Sequence, residues 1–180
     1  MSENRNIVDQ LSTAYNTEIS GYHFYTTAAA LVEDSKGKGV FINLAKDELA
    51  HIMVISKIAE SVKKGLGWIG YEEALKRGGD SFMEGGIPIF QKENELVKRF
   101  QTNQTDLNAV AIAMENEESA IDFYSNLLKQ AKEPVEKVVL TKLLEMEKAH
   151  LKVLRWESES LNNTGFWCGN MEFSVEKETE

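Results

Sequence analysis

Glu48-Leu49-Ala50-His51 returns ninety-nine residues later as Glu147-Lys148-Ala149-His150, and the chain around both copies repeats at that offset without a gap. Glu18 recurs as Glu117, and Phe24-Tyr25 as Phe123-Tyr124. Weaker matches fill the frame: Ala14, Ser20, Val40, Leu44 and Val54 reappear as Ala113, Ser119, Val139, Leu143 and Val153. Apolar positions in each copy recur at three- and four-residue steps, the period of an α-helix rather than a strand. Each copy therefore reads as helices carrying one lone Glu and, thirty residues on, a Glu-x-x-His.

That interval sets the geometry. Two antiparallel helices bring Glu and Glu-x-x-His to one depth only if the chain reverses near the midpoint, residue 33 in the first copy and 132 in the second. Turn-forming residues stand close by, Asp34-Ser35-Lys36-Gly37-Lys38-Gly39 in the first copy and Pro134 in the second. Fifteen residues of helix rise about 22 Å, so Glu18 would face Glu48 and His51, and Glu117 would face Glu147 and His150. Residues three apart share a helix face, so both side chains of each Glu-x-x-His reach one interior point. Two hairpins packed together would converge four carboxylates and two imidazoles. Two divalent cations would balance those four charges and offset the cost of burying them.

The stretch Ala113-Met114-Glu115-Asn116-Glu117-Glu118 through Phe123-Tyr124, followed by Leu144-Glu145-Met146-Glu147-Lys148-Ala149-His150, resembles the second half of a rubrerythrin, within the ferritin-like di-iron superfamily. The resemblance runs over roughly residues 7 to 160. It implies an all-α, ferritin-like four-helix bundle built from two repeated hairpins with a long crossover connection. It implies two iron ions held by Glu18, Glu48, His51, Glu117, Glu147 and His150, with Glu48 and Glu147 bridging. Tyr25 and Tyr124, about two turns beyond Glu18 and Glu117, are expected to bring their hydroxyls beside the ligands.

The chain departs from the family in two places. Full-length rubrerythrins carry a four-cysteine, rubredoxin-type iron site, whereas this sequence has the single Cys168, so that electron relay is not expected here. They also carry an extra Glu three residues after the third-helix ligand, where counting from Glu117 gives Ala120. Were Glu115 the ligand, Glu118 would fill the extra place. The ungapped repeat and the seven-residue step to Tyr124 select Glu117.

Composition sets bounds on the rest. The sequence has 180 residues, 42% of them hydrophobic, only two Pro, and a net charge of −9. That length suits one domain with a sizeable core. No apolar run reaches the 18 or so residues of a membrane span, and no signal peptide is expected. The acidic balance argues against a nucleic-acid partner. One cysteine and no signal make the reducing cytoplasm the expected location.

The bundle is expected over residues 5–162, with helices at about 6–33, 39–64, from 106 onward and 135–161, and a tail over 163–180. Residues 65–105 read as a crossover, with short helices at Tyr71 to Arg77 and Gln91 to Phe100 separated by Gly78-Gly79 and Gly85-Gly86-Ile87-Pro88. They are expected to pack over an end or flank of the bundle. Phe166, Trp167, Met171 and Phe173 are expected to dock on the bundle or on a second subunit, and Glu176 to Glu180 to fray. Tyr15 and Tyr22 share the face of Glu18 and read as core. His23 lies on a different face and reads as a partly buried imidazole.

The resemblance implies a di-iron oxidoreductase that reduces hydrogen peroxide or dioxygen with electrons from a separate rubredoxin-like donor, in a homodimer or larger homo-oligomer. Ferritin-type iron oxidation and storage uses the same ligands. Carboxylate and imidazole also accept manganese, so a dimanganese catalase-like or mixed-metal centre fits the same residue types.

Overall fold

A computed structural model describes residues 2–85 and 94–169, which form six helices: α1 (Ser2–Leu31), α2 (Ser35–Lys63), α3 (Tyr71–Gly85), α4 (Glu95–Thr102), α5 (Asp106–Gln130) and α6 (Pro134–Thr164). No strand occurs among the described residues. The protein is an all-α, ferritin-like helical bundle.

The repeat extends through both hairpin links. Val32–Asp34 joins α1 to α2 and Ala131–Glu133 joins α5 to α6, with Glu33 and Lys132 at their centres. Asp34 caps α2 by accepting from the backbone N–H groups of Lys36 and Gly37. Pro134 begins α6, where a missing N–H costs nothing, and Glu136 takes back the N–H groups of Lys132 and Glu133. Thr105 caps α5 through Asn108 N.

The turn expected over Asp34–Gly39 is shorter than that. The helix starts at Ser35 and carries Gly37 inside it, because Asp34 satisfies the first orphan donors. Gly37 serves a packing purpose: a Cβ there would lie 2.3 Å from the Trp167 ring. Gly78-Gly79 likewise does not break a helix. A Cβ on Gly78 would stand 2.6 Å from Met53 Cβ, so the missing side chain lets α3 lie close on α2. Gly85 ends α3, and the remainder of that expected break, with Gln91 to Glu93, lies outside the described residues.

α1 packs along α2 and α5 along α6. Gln10 meets Gln130 while Tyr25 meets Glu117, so α1 runs antiparallel to α5 and α2 runs the same way as α5. The connection between α2 and α5 therefore crosses back along the bundle, and its two helices cover opposite flanks. α3 lies on α2 and touches α6, burying Tyr71 and Ala74. α4 lies on α1 and α5, burying Phe100, with Asn94 bonded to Ser20 O at 2.8 Å.

Behind α6, the buried Glu157 accepts from the backbone N–H groups of Cys168 and Gly169 at 2.8 and 2.9 Å. This pins Trp167 over Gly37. Phe166, expected to dock on the bundle or on a second subunit, is 72% exposed, and Met171, Phe173 and Glu176 to Glu180 lie outside the described residues. Two apolar clusters fill the bundle, one around Phe24, Phe41, Phe100 and Leu154, the other around Ile55, Ile58, Leu140 and Leu143. No helix of the described residues is long and apolar enough to cross a membrane.

Candidate metal centre

Between the two apolar clusters lies a polar layer. Glu18, Glu48, His51, Glu117, Glu147 and His150 are all buried there, one or two from each long helix. They fall into two overlapping groups, Glu18, Glu48, His51 and Glu147 in one and Glu48, Glu117, Glu147 and His150 in the other. Within each, the ligand atoms lie inside 4.8 Å of one another, so the cluster could hold metal ions. Glu48 and Glu147 belong to both groups.

His51 turns Nδ1 inward, 3.2 Å from Glu18 Oε2, 3.0 Å from Glu147 Oε1 and 3.6 Å from Glu48 Oε2. His150 also turns Nδ1 inward, 3.3 Å from Glu147 Oε2 and 3.6 Å from Glu117 Oε2. Glu147 thus stands between the two imidazoles, one oxygen toward each. Gly21 makes room for this layer, since a Cβ there would stand 3.4 Å from the Glu48 carboxyl carbon.

The tyrosines cross between the halves. The Tyr25 hydroxyl donates to Glu117 Oε1, and the Tyr124 hydroxyl donates to Glu18 Oε1. Helical spacing brings each hydroxyl near the layer; packing delivers it to the carboxylate of the other hairpin. Burial, and then the charge of the partner carboxylate, pushes both phenols well above their ordinary pKa. Both stay protonated at neutral pH and hold one oxygen each of Glu117 and Glu18, leaving the other toward the polar layer.

Burial, and then the neighbouring charge of Glu147, raises the Glu117 carboxyl to about 8. Glu48 is raised for the same reasons, with Glu18 and Glu147 as its neighbours. Glu147 is also opposed by burial, but His51 and His150 outweigh it and hold its carboxyl below the usual range. Glu117 Oε2, both oxygens of Glu147 and His150 Nδ1 are buried without a hydrogen-bond partner. Orphaned acceptors converging on one point are costly unless a cation satisfies them.

The family model described as Rubrerythrin matches residues 88–157. Over those residues the chain is similar to rubrerythrins. No curated protein and no solved structure matches it. The matched stretch includes Glu117, Glu147 and His150 but stops short of the first hairpin, which enters the same layer through the internal repeat.

The three candidate carboxylates on α5 stand in different surroundings. Glu117 is buried in the layer, whereas Glu115 is exposed and paired with Arg99, and Glu118 is exposed and paired with Arg155. Ala120 occupies the buried place three residues on. Tyr15 and Tyr22, read as core, are half-buried and line grooves between α1 and α2, and His23 is half-buried.

Sequence reasoning missed Asp47. Its Oδ2 lies 3.2 Å from His150 Nε2, where it fixes the ring with Nδ1 facing inward. The repeat hid this residue, because the position matching Asp47 is Met146, and His51 Nε2 has no hydrogen-bond partner. Asn116, which reaches the Tyr25 hydroxyl at 3.4 Å, was also missed.

Proposed function

We propose that this protein holds two iron ions between its hairpins and reduces hydrogen peroxide, or dioxygen, with electrons from a separate donor protein. The observation that carries this reading is the donor set, four buried carboxylates and two imidazoles in two groups that share Glu48 and Glu147. The orphaned oxygens and the bare His150 Nδ1 suit a pair of cations. In this reading Glu18 and His51 serve one ion, Glu117 and His150 the other, and Glu48 and Glu147 both.

When bound, two redox-active ions supply two electrons together to one O–O bond. The chain's own residues do the remainder. Tyr25 and Tyr124 orient Glu117 and Glu18, and each keeps a proton at its hydroxyl beside the layer. The apolar clusters above and below exclude bulk water, which strengthens every electrostatic contact inside. Asp47 holds His150 in one orientation. Cys168 alone cannot form a four-cysteine relay, and in this reading the electrons that restore the centre come from a separate donor of the small rubredoxin-like class.

Anaerobic metal analysis of protein from its native host tests the metal. Reduced, iron-loaded protein mixed with peroxide should consume about one peroxide per pair of ions in a fast phase that then ends, because two ions carry two electrons. Adding the reduced donor should restart it. Iron uptake far beyond the paired site, with growth of a mineral core in a large assembly, would instead establish storage.

A further inference from the structure

The repeat reaches further than the ligands. Trp68-Ile69-Gly70 and Trp167-Cys168-Gly169 stand at the same offset, so in each half the segment after the second helix carries a Trp followed two residues later by Gly. Their surroundings differ. Tyr25, bonded to Glu117, stacks on Phe41 with ring centroids 6.2 Å apart, and Phe41 meets Trp167 edge-on at 5.7 Å. The Trp167 indole N–H donates to Asp106 Oδ2 at 2.7 Å. In the other half Tyr124 is bonded to Glu18, but Leu140 stands where Phe41 would, Ile7 matches Asp106, and the Trp68 indole nitrogen is buried with no hydrogen-bond partner.

One side thus has an unbroken file of rings from a site carboxylate to a tryptophan, and each oxidisable ring has a carboxylate able to take its proton. The other side lacks both the middle ring and the acceptor. Trp167 is only 3% exposed, yet Phe166 and Cys168 on either side of it are exposed, so the file ends just beneath the surface.

We propose that Trp167, Phe41 and Tyr25 form a one-electron path between the metal centre and the surface at the end of α6, through which Trp167 supplies electrons inward when no donor protein is present. The path rests on the di-iron reading above. A peroxide meeting an already oxidised centre needs two electrons and two protons to leave as two waters. Tyr25 passes an electron inward and its phenolic proton to Glu117. Trp167 refills Tyr25 across Phe41 and releases its indole proton to Asp106, while the proton on Glu117 returns to the phenol. A second pass leaves Trp167 short of two electrons, and water adds to its ring with loss of a proton. The two protons lost at Trp167 pass to solvent and two are taken up from solvent by the peroxide, so the sum is one peroxide and one tryptophan giving one water and one hydroxylated tryptophan. Phe41 is not oxidised; its ring fills the gap that the electron crosses.

The test uses the iron-loaded full chain, excess peroxide, no donor, no dioxygen, and water labelled with oxygen-18, followed by peptide mass spectrometry. Label should appear on Trp167 ahead of Trp68 and Trp156, although both are more exposed. The label should be lost in Tyr25→Phe and fall several-fold in Phe41→Leu, which copies Leu140 and touches no ligand. Tryptophan oxidised at Trp68 or Trp156 as readily as at Trp167, oxygen derived from peroxide rather than water, or label on Trp167 unchanged in both variants would each overturn the path. Iron content and peroxide consumption are measured on the same samples. If both hold and Trp167 stays unlabelled, only the path fails; if the chain takes up no iron, the di-iron reading fails and the path with it.

Discussion

Without metal, Glu117 keeps its proton in the folded protein up to about pH 8, against 4.5 for an ordinary Glu, because burial and the charge of Glu147 both penalise its ionised form. Between those values the folded state therefore binds more protons than the unfolded chain. The linkage sign follows: this stabilisation is complete below about 4.5 and is lost as pH rises through about 8. His51 and His150, opposed by burial but raised by the carboxylates around them, contribute with the same sign. Metal-free protein should accordingly lose thermal stability as pH rises across that window, and Glu117→Gln, which stays neutral, should flatten the slope. Metal binding works the other way, since its ligands must be deprotonated. A calorimetric pH series on the two metal-free proteins checks this, and an unchanged slope in the variant would disprove the assignment.

At the scale of elements, the α1–α2 link and the tail are one device. Asp34 starts α2 early, Gly37 opens a gap on its first turn, and Trp167 fills that gap while Glu157 holds the following backbone. Gly37→Ala should favour the helix by about 1 kcal/mol through propensity alone. The new Cβ cannot coexist with the indole ring where it stands, and overpacking costs about 1–3 kcal/mol. Trp167 should leave its site, seen as a red shift in its fluorescence measured with Trp68 and Trp156 replaced by Phe. An unshifted spectrum would mean that the tail is held by Glu157 alone.

Across the whole molecule, the centre belongs to neither hairpin. Glu147 of the second half lies against His51 of the first, Asp47 of the first against His150 of the second, and each tyrosine holds the other half's Glu. Ions bound there would tie the hairpins together in the folded state only. Free metal at a hundredfold excess over its dissociation constant should stabilise the protein by about 2.7 kcal/mol for each ion. A melting temperature that rises with metal concentration and falls again on chelation would show this, and one indifferent to metal would count against the centre.

The ninety-nine-residue repeat, the helical period, the reversals at Glu33 and Lys132 and the inventory of carboxylates and imidazoles were all legible in the chain. Local covalent geometry sets these: 3.6 residues per turn places His51 over Glu48, and equal spacing to a short turn places Glu18 opposite both. What each side chain touches across the bundle was not legible. Tyr25 and Tyr124 sit at the right depth on their own helices, but whether a hydroxyl reaches the near or the far carboxylate depends on how two distant hairpins pack. Asp47 was invisible because its partner is 103 residues away and its counterpart in the repeat is Met146. Gly37 and Gly78 read as breaks because glycine is a turn former by default, and only the approach of Trp167 and Met53 reveals them as clearances inside helices. The sequence by itself determined which groups can gather and at what height, since helix geometry is local; the tertiary structure decided which half holds which, since that depends on packing between segments that no local rule connects.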